Sequence, residues 1–295
     1  MGGVARLRPM TRAVALLVLA ACSAPAHPAV PARAPIALTY LGVAGWQIEA
    51  AGKVVITDPY LSRPADPDAP LVPDAAAIAA HTPAKADLVV VGHSHYDHLL
   101  DAATVALRTG AELLGSVSTT RVGRASGLAD DRLITVKGGE DFAMDGFSIR
   151  AIPSLHSAIG EKHIFGAEIP PDPKLPMPQA GYQEGGTLAY LLRIGGHEVL
   201  ILDTANFIER ELVGVRPDIA IIAPGLREEI HDYTCRLLHV LGDPPVVIAT
   251  HFDEWRGPPV DAPPSEDLTR FSEEVRACSP RTRLILPNHF ERIAL

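Results

Sequence analysis

Apolar residues along this chain fall into short runs closed by turn residues, beginning at Ile36. Ile36, Leu38 and Tyr40 alternate with smaller or more polar positions, and Trp46 and Ile48 repeat the pattern. Ala51-Gly52 then predicts a hairpin turn into a strand over Lys53–Thr57. Residues 88–91, 198–202 and 245–249 are continuous apolar runs of the kind buried on both faces, and residues 147–152 alternate again. Residues 99–108 suit a helix that stops at Gly110, and the segments around Leu212, over 235–241 and over 268–277 can also be helical. The pattern is that of an α/β chain whose strands alternate with helices only in parts.

Five of these runs deliver an ionisable residue at or just past their carboxyl end. Residues 54–57 lead into Asp58, 88–91 into His93, 149–152 into His156, 200–202 into Asp203 and 247–250 into His251. Functional groups of α/β sheets gather outside the carboxyl ends of strands. The placement therefore predicts one cleft collecting His93, His95, Asp97, His98, His156, Asp203 and His251. In the dense stretch His93-Ser-His95-Tyr-Asp97-His98, extended geometry puts His93 and His95 on one face, where both can reach one ion. Asp97 and His98 follow where the chain turns and can point to a second. Imidazole and carboxylate suit zinc, with manganese or iron as alternatives. Any one of His156, Asp203 or His251 alone would read as an ordinary strand-end residue; their agreement with the cluster points to metal.

At 295 residues and 47% hydrophobic content the chain can bury a large core, in one or two domains by length alone. The net charge of -9, with no basic run beyond the N-terminus, excludes a nucleic-acid-binding surface as partner site. That N-terminus has Arg6, Arg8 and Arg12 ahead of an apolar run at residues 13–21, too short to span a bilayer comfortably. Its end, Leu19-Ala20-Ala21-Cys22, resembles a bacterial lipoprotein signal. The resemblance implies that residues 1–21 are a signal peptide and that the membrane is a partner through lipid on Cys22. An ordinary secretory signal is the alternative, and either exports the mature protein to the cell envelope. Residues 22–35 are Ala/Pro-rich and read as a tether. The remaining cysteines, Cys235 and Cys278, read as unpaired buried thiols, although an oxidising compartment would permit a disulfide.

His93-x-His95-x-Asp97-His98 followed in order by His156, Asp203 and His251 resembles the metallo-β-lactamase fold superfamily. Thr57-Asp58-Pro59 and residues 216–225 are similar to its branch containing ascorbate-6-phosphate lactonases and N-acylphosphatidylethanolamine-hydrolysing phospholipase D. The resemblance covers nearly the whole mature chain. It implies one catalytic domain at residues 36–295, an αββα four-layer sandwich with the metals at the edge between two sheets. It also implies two divalent ions as cofactors: one on His93, His95 and His156, a second on Asp97, His98 and His251, with Asp203 bridging. The activity implied is a hydrolase acting on a small-molecule ester, lactone or phosphodiester through a metal-bridging hydroxide, with Asp97 orienting the nucleophile or shuttling a proton. Alternatives are a mononuclear iron thiol oxygenase and a non-catalytic metal-binding lipoprotein.

The chain also departs from the pattern. Asp203 lies in Leu-Asp-Thr-Ala where many relatives have Gly-Asp-Thr-Gly, and a carboxylate there argues against β-lactam cleavage. His95 stands where iron flavoproteins of the superfamily carry an acid, which favours hydrolysis over electron transfer. Residues 160–186 form a Pro-rich insertion, predicted as a substrate wall or lid, or else an inert flap, with Lys162, His163 and Lys174 the groups nearest the site. His231, His239 and His289 read as structural or solvated.

Overall fold

Strands β1 (Ile36–Gly42), β2 (Gly45–Ala50) and β3 (Lys53–Thr57) form an antiparallel meander. The expected turn between the last two is made by Ala51 and Gly52, both at positive φ, as a two-residue hairpin requires. From β3 the sheet continues in parallel through β4 (Leu88–Val90), β5 (Glu112–Gly115) and β6 (Leu133–Thr135). Helices α1 (Ala75–His81), α2 (Tyr96–Leu99), α3 (Ala102–Thr109) and α4 (Val117–Ala125) lie between these strands in sequence. Gly110 ends α3 in the left-handed conformation, as its position predicts. This computed structural model describes residues 1–3, 33–66, 68–160 and 166–295. All but the first three residues of the expected signal peptide, together with Cys22, Lys162 and His163, lie outside the described residues.

The second sheet follows the same plan. Strands β7 (Asp141–Met144), β8 (Phe147–Pro153), β9 (Leu188–Ile194) and β10 (His197–Leu202) are antiparallel. Then β11 (Ile219–Ile222), β12 (Val246–Ala249) and β13 (Arg283–Ile285) extend it in parallel. Helices α5 (Glu209–Leu212), α6 (Tyr233–Val240) and α7 (Glu266–Cys278) connect them, and β14 (Arg292–Ala294) returns to pair with β1.

Continuous apolar strands are explained by burial on both faces. Val90 faces the other sheet while Val89 faces the helices; Ile201 points inward while Leu200 and Leu202 point outward. Trp46, Tyr40 and Ile48 meet Tyr190, Leu192 and Ile221 between the sheets. Val89, Leu113, Val105 and Val122 pack under the first helix layer, and Leu200, Leu237 and Phe271 under the second. The result is the αββα sandwich expected.

Two expectations change. Residues 166–186 of the insertion are not an inert flap: Ile169, Met177 and Tyr182 are buried against the first helix layer, and Leu71 N–H donates to the Met177 carbonyl at 2.9 Å. The thiol expectation is wrong, because Cys235 of α6 and Cys278 of α7 are joined in a disulfide across 43 residues of chain. The two helices pack side by side, which brings the cysteines within reach although neither is fully buried. A cross-link of this span restricts the unfolded chain, and its removal should lower stability by about 2–4 kcal/mol. Urea unfolding of a Cys235→Ser/Cys278→Ser variant, compared with wild type under non-reducing conditions, measures this; coincident curves would show that the bond contributes nothing.

Candidate metal centre

All seven candidate residues converge where the carboxyl ends of β4, β8, β10 and β12 meet at one edge of the sandwich. Three groups of side chains each bring their ligand-type atoms within 4.8 Å of one another: His93, His95 and His156; Asp97, His98 and His251; and His93, His98 and Asp203. The third group draws one histidine from each of the other two, so Asp203 stands between them. Its Oδ2 lies 2.7 Å from His93 Nδ1 and 3.3 Å from His98 Nδ1. Asp97 Oδ2 is 3.4 Å from His251 Nε2 and 3.6 Å from His98 Nε2.

The local chain explains this crowding. Gly92 immediately precedes the motif, and a Cβ there would sit 2.2 Å from Asp203 Oδ2, so any side chain would expel the carboxylate. Gly92 N–H donates to Asp58 Oδ1 at 2.8 Å, and the same oxygen is 3.2 Å from His98 Nδ1. That contact orients the His98 ring and turns Nε2 toward Asp97. His156 Nδ1 donates to the Ser157 carbonyl at 2.8 Å, which leaves Nε2 for a ligand. Ser157 N–H and Oγ both bond Thr204 Oγ1, at 2.9 and 2.6 Å, tying the His156 loop to the Asp203 loop.

Burial dominates the electrostatics. It drives His93 and His98 well below the ordinary histidine range and lowers His95 to about 4, so these imidazoles are neutral with lone pairs available. The same burial raises Asp203 to about 7 and holds Asp58 high, with the neighbouring Asp203 charge adding to the rise. Among the described residues, His98 Nε2, Asp203 Oδ1 and Asp58 Oδ2 are buried polar atoms without a hydrogen-bond partner. Buried groups of this kind are costly unless something satisfies them. Two of them belong to the ligand groups, and a divalent cation would satisfy both; the donor set therefore fits metal.

The sequence left two contributors outside its ligand set. Asp58 carried a signal, since it ends an apolar strand as the chosen residues do. Asp253 carried none. Its carboxylate is buried and accepts from Tyr40 Oη at 2.7 Å, Val43 N–H at 2.9 Å, Arg63 Nη2 at 2.9 Å and His289 Nε2 at 2.8 Å. This network fastens the loop after β12, which carries His251, to the β1–β2 turn. His289 thus has a structural role, as its sequence reading held.

A cleft of about 660 Å³ opens over the cluster. Its walls include Tyr96, Ile159, Tyr182, Leu226, Phe252 and Trp255. Gln179, Ala180, Tyr182 and Gln183 of the insertion line it, whereas Lys174 is exposed and does not.

Residues 37–222 match the family model described as a beta-lactamase superfamily domain. The chain belongs to that superfamily. It is 27% identical over 242 residues to a UPF0173 metal-dependent hydrolase of Methanopyrus kandleri, covering 81% of this chain and 92% of the relative. Among solved structures, a metallo hydrolase from Ignicoccus hospitalis superposes with a TM-score of 0.62 at 21% identity, covering 88% of this chain and 98% of that one. A diiron β-hydroxylase from Streptomyces venezuelae superposes with a TM-score of 0.60 at 16% identity, over 90% of this chain and 55% of that one. At such identities the structural likenesses establish the metallo-β-lactamase fold.

The Asp203 shift sets a pH dependence. Between about pH 4 and about pH 7 the metal-free folded protein holds a proton on Asp203 that the unfolded chain has released, so this contribution to stability falls as pH rises through the window. A cation displaces that proton, and its own stabilisation should grow over the same window. Thermal scans with excess divalent ion should show a larger gain in Tm at pH 8 than at pH 5.5. An equal gain at both would place the ion away from Asp203.

Proposed function

We propose that the chain is a metal-dependent hydrolase that uses two divalent ions, zinc or else manganese or iron, to cleave an ester, lactone or phosphodiester bond of a small molecule. The observation that carries this reading is the set of three overlapping ligand groups, with Asp203 shared between the histidines of the other two. The hydrolase names of the UPF0173 relatives support it. One ion would be held by His93, His95 and His156 and the other by Asp97, His98 and His251, with Asp203 bridging.

Bound there, the pair would supply Lewis acidity and a water of lowered pKa. The chain's own residues do the rest. Asp58 fixes the His98 ring, and Ser157 with Thr204 fixes His156 against Asp203. Asp97 is half-buried and faces the cleft, so its carboxylate can take the proton of the attacking water and return it to the leaving oxygen. The apolar walls thin the water around the reacting carbon or phosphorus, which strengthens every charge interaction there.

His95→Ala and Asp203→Ala should each lower kcat/KM by at least about 100-fold, more than loss of a supporting group costs. Circular dichroism should stay native, because both residues lie outside the three apolar cores. Metal analysis of the wild type should find close to two ions per chain. Turnover should appear in an assay panel of lactones, esters, phosphodiesters and a chromogenic β-lactam. One iron with oxygen consumption would establish the oxygenase reading instead, full occupancy without turnover a binding protein, and preference for the β-lactam would overturn the reading of Asp203.

We also propose that the protein is exported and held at the bacterial cell envelope by lipid on Cys22. The Cys235–Cys278 disulfide supports an oxidising compartment. No helix among the described residues is long and apolar enough to cross a membrane. Several acyl chains on one cysteine give stable attachment. Fatty-acid labelling should mark the wild type and not Cys22→Ser; an unlabelled wild type recovered wholly in the soluble fraction would end this proposal.

A further inference from the structure

The cleft is charged at its floor and close to neutral on its walls. No Lys or Arg among the described residues lines it. Besides Asp97 at the floor, Asp253 and Asp267 line it, and both are already paired from behind. Arg63 Nη2 lies 2.9 Å from Asp253 Oδ2, and Arg227 Nη1 lies 2.7 Å from Asp267 Oδ1; both arginines are buried. A polyanionic substrate finds one cation at the mouth, Arg256, beside Tyr96 and 6.0 Å from the Trp255 ring, and none deeper, while a cationic one finds carboxylates whose charge is spent.

The mouth is apolar. Leu226 is 44% exposed, Trp255 39% and Ile159 37%, all three on the cleft. Leu226 also stands at φ 65, a left-handed conformation that a branched apolar side chain rarely adopts. The segment is held there by its neighbour: the Arg227 guanidinium bonds Asp267, Glu274 and the Pro224 carbonyl, fastening the loop to α7. Strained backbone that keeps an apolar side chain in water at a cleft edge is a feature of binding sites.

Building on the hydrolase reading, we infer that the substrate is an uncharged ester or lactone bearing an apolar chain or ring, which runs from the metal centre out between Leu226 and Trp255. The carbonyl would be placed at the metal centre, and the apolar part would take the wall. This selects among the bond types above by the apolar mouth: an ester or lactone can lay its chain against Leu226, Trp255 and Ile159 with no charge to seat beside them.

The test uses zinc-loaded full-length protein. With p-nitrophenyl esters from acetyl to decanoyl, kcat/KM should rise at least about tenfold between acetyl and octanoyl, as expected when several methylenes leave water. In Leu226→Asn, a residue that tolerates the same backbone conformation, and in Trp255→Ala, the octanoyl-to-acetyl ratio should fall about tenfold. Calorimetry with butanamide, hexanamide and decanamide reads the wall without turnover: affinity should rise with chain length. Graded amide binding without ester cleavage would uphold the wall and sink the reaction. Ester cleavage independent of chain length would overturn the inference and leave the reaction standing.

Discussion

Asp58 and Asp203 are buried carboxylates whose ionic partners among the described residues are imidazoles alone. Moving a carboxylate out of water costs several kcal/mol even after relaxation, and Gly92 N–H and the neighbouring imidazoles offset only part of it. Burial raises Asp203 and Asp58 and lowers His93, His95 and His98, so this half of the cluster favours protonated acid beside neutral imidazole. Asp97 and His251 shift the other way, because their carboxylate and imidazole pair at 3.4 Å and outweigh burial. The centre is built for guests of high positive charge, and the surrounding fold is arranged to hold that unfavourable cluster in place.

Each sheet makes the arrangement by changing from antiparallel to parallel pairing, at β3–β4 in one and β10–β11 in the other. Parallel strands end together, so β3, β4, β10 and β12 deliver their last residues to the same edge. Two of those exits are sharp: Asp58 and His251 sit at φ 40 and 51, positions that cost a non-glycine residue on the order of 1 kcal/mol or more. Each is held by a backbone bond, Asp58 N–H to the β4 carbonyl of Val90 at 2.9 Å and His251 N–H to the Val43 carbonyl in the β1–β2 turn at 2.6 Å. Asp253 reinforces the second through Val43 N–H. Removal of this clamp would free the loop that aims His251.

Legibility in the sequence followed how local the cause was. Strand ends carrying His93, Asp203 and His251 could be read because apolar runs and their next residues are adjacent in sequence. The Ala51-Gly52 turn and the Gly110 stop could be read because backbone conformation there depends on one or two residues. Asp58 was visible as a strand end yet not as a support for His98, a relation that spans 40 residues. The Asp253 network joins positions more than 200 residues apart, and the disulfide depends on how α6 and α7 pack. The insertion read as Pro-rich and therefore extended. What makes it a wall is the burial of Ile169, Met177 and Tyr182, three apolar residues without a period to announce them.

The distribution of arginines decides where cations can settle. A cleft lined by Asp97, Asp253 and Asp267 on a chain of net charge -9 would attract divalent ions at several points. Arg63 and Arg227 remove two of those carboxylates from competition, each by a short ion pair from a buried position. His289 adds a further hydrogen bond to Asp253. Among the described residues, Asp97 and Asp203 have no such arginine and their ionic partners are histidines, which a cation can displace from hydrogen bonding and then use as ligands. The paired carboxylates thereby serve the architecture, tying loops to the sandwich. The unpaired ones are left for metal, and the same division that localises the ions leaves the walls above them free of net charge.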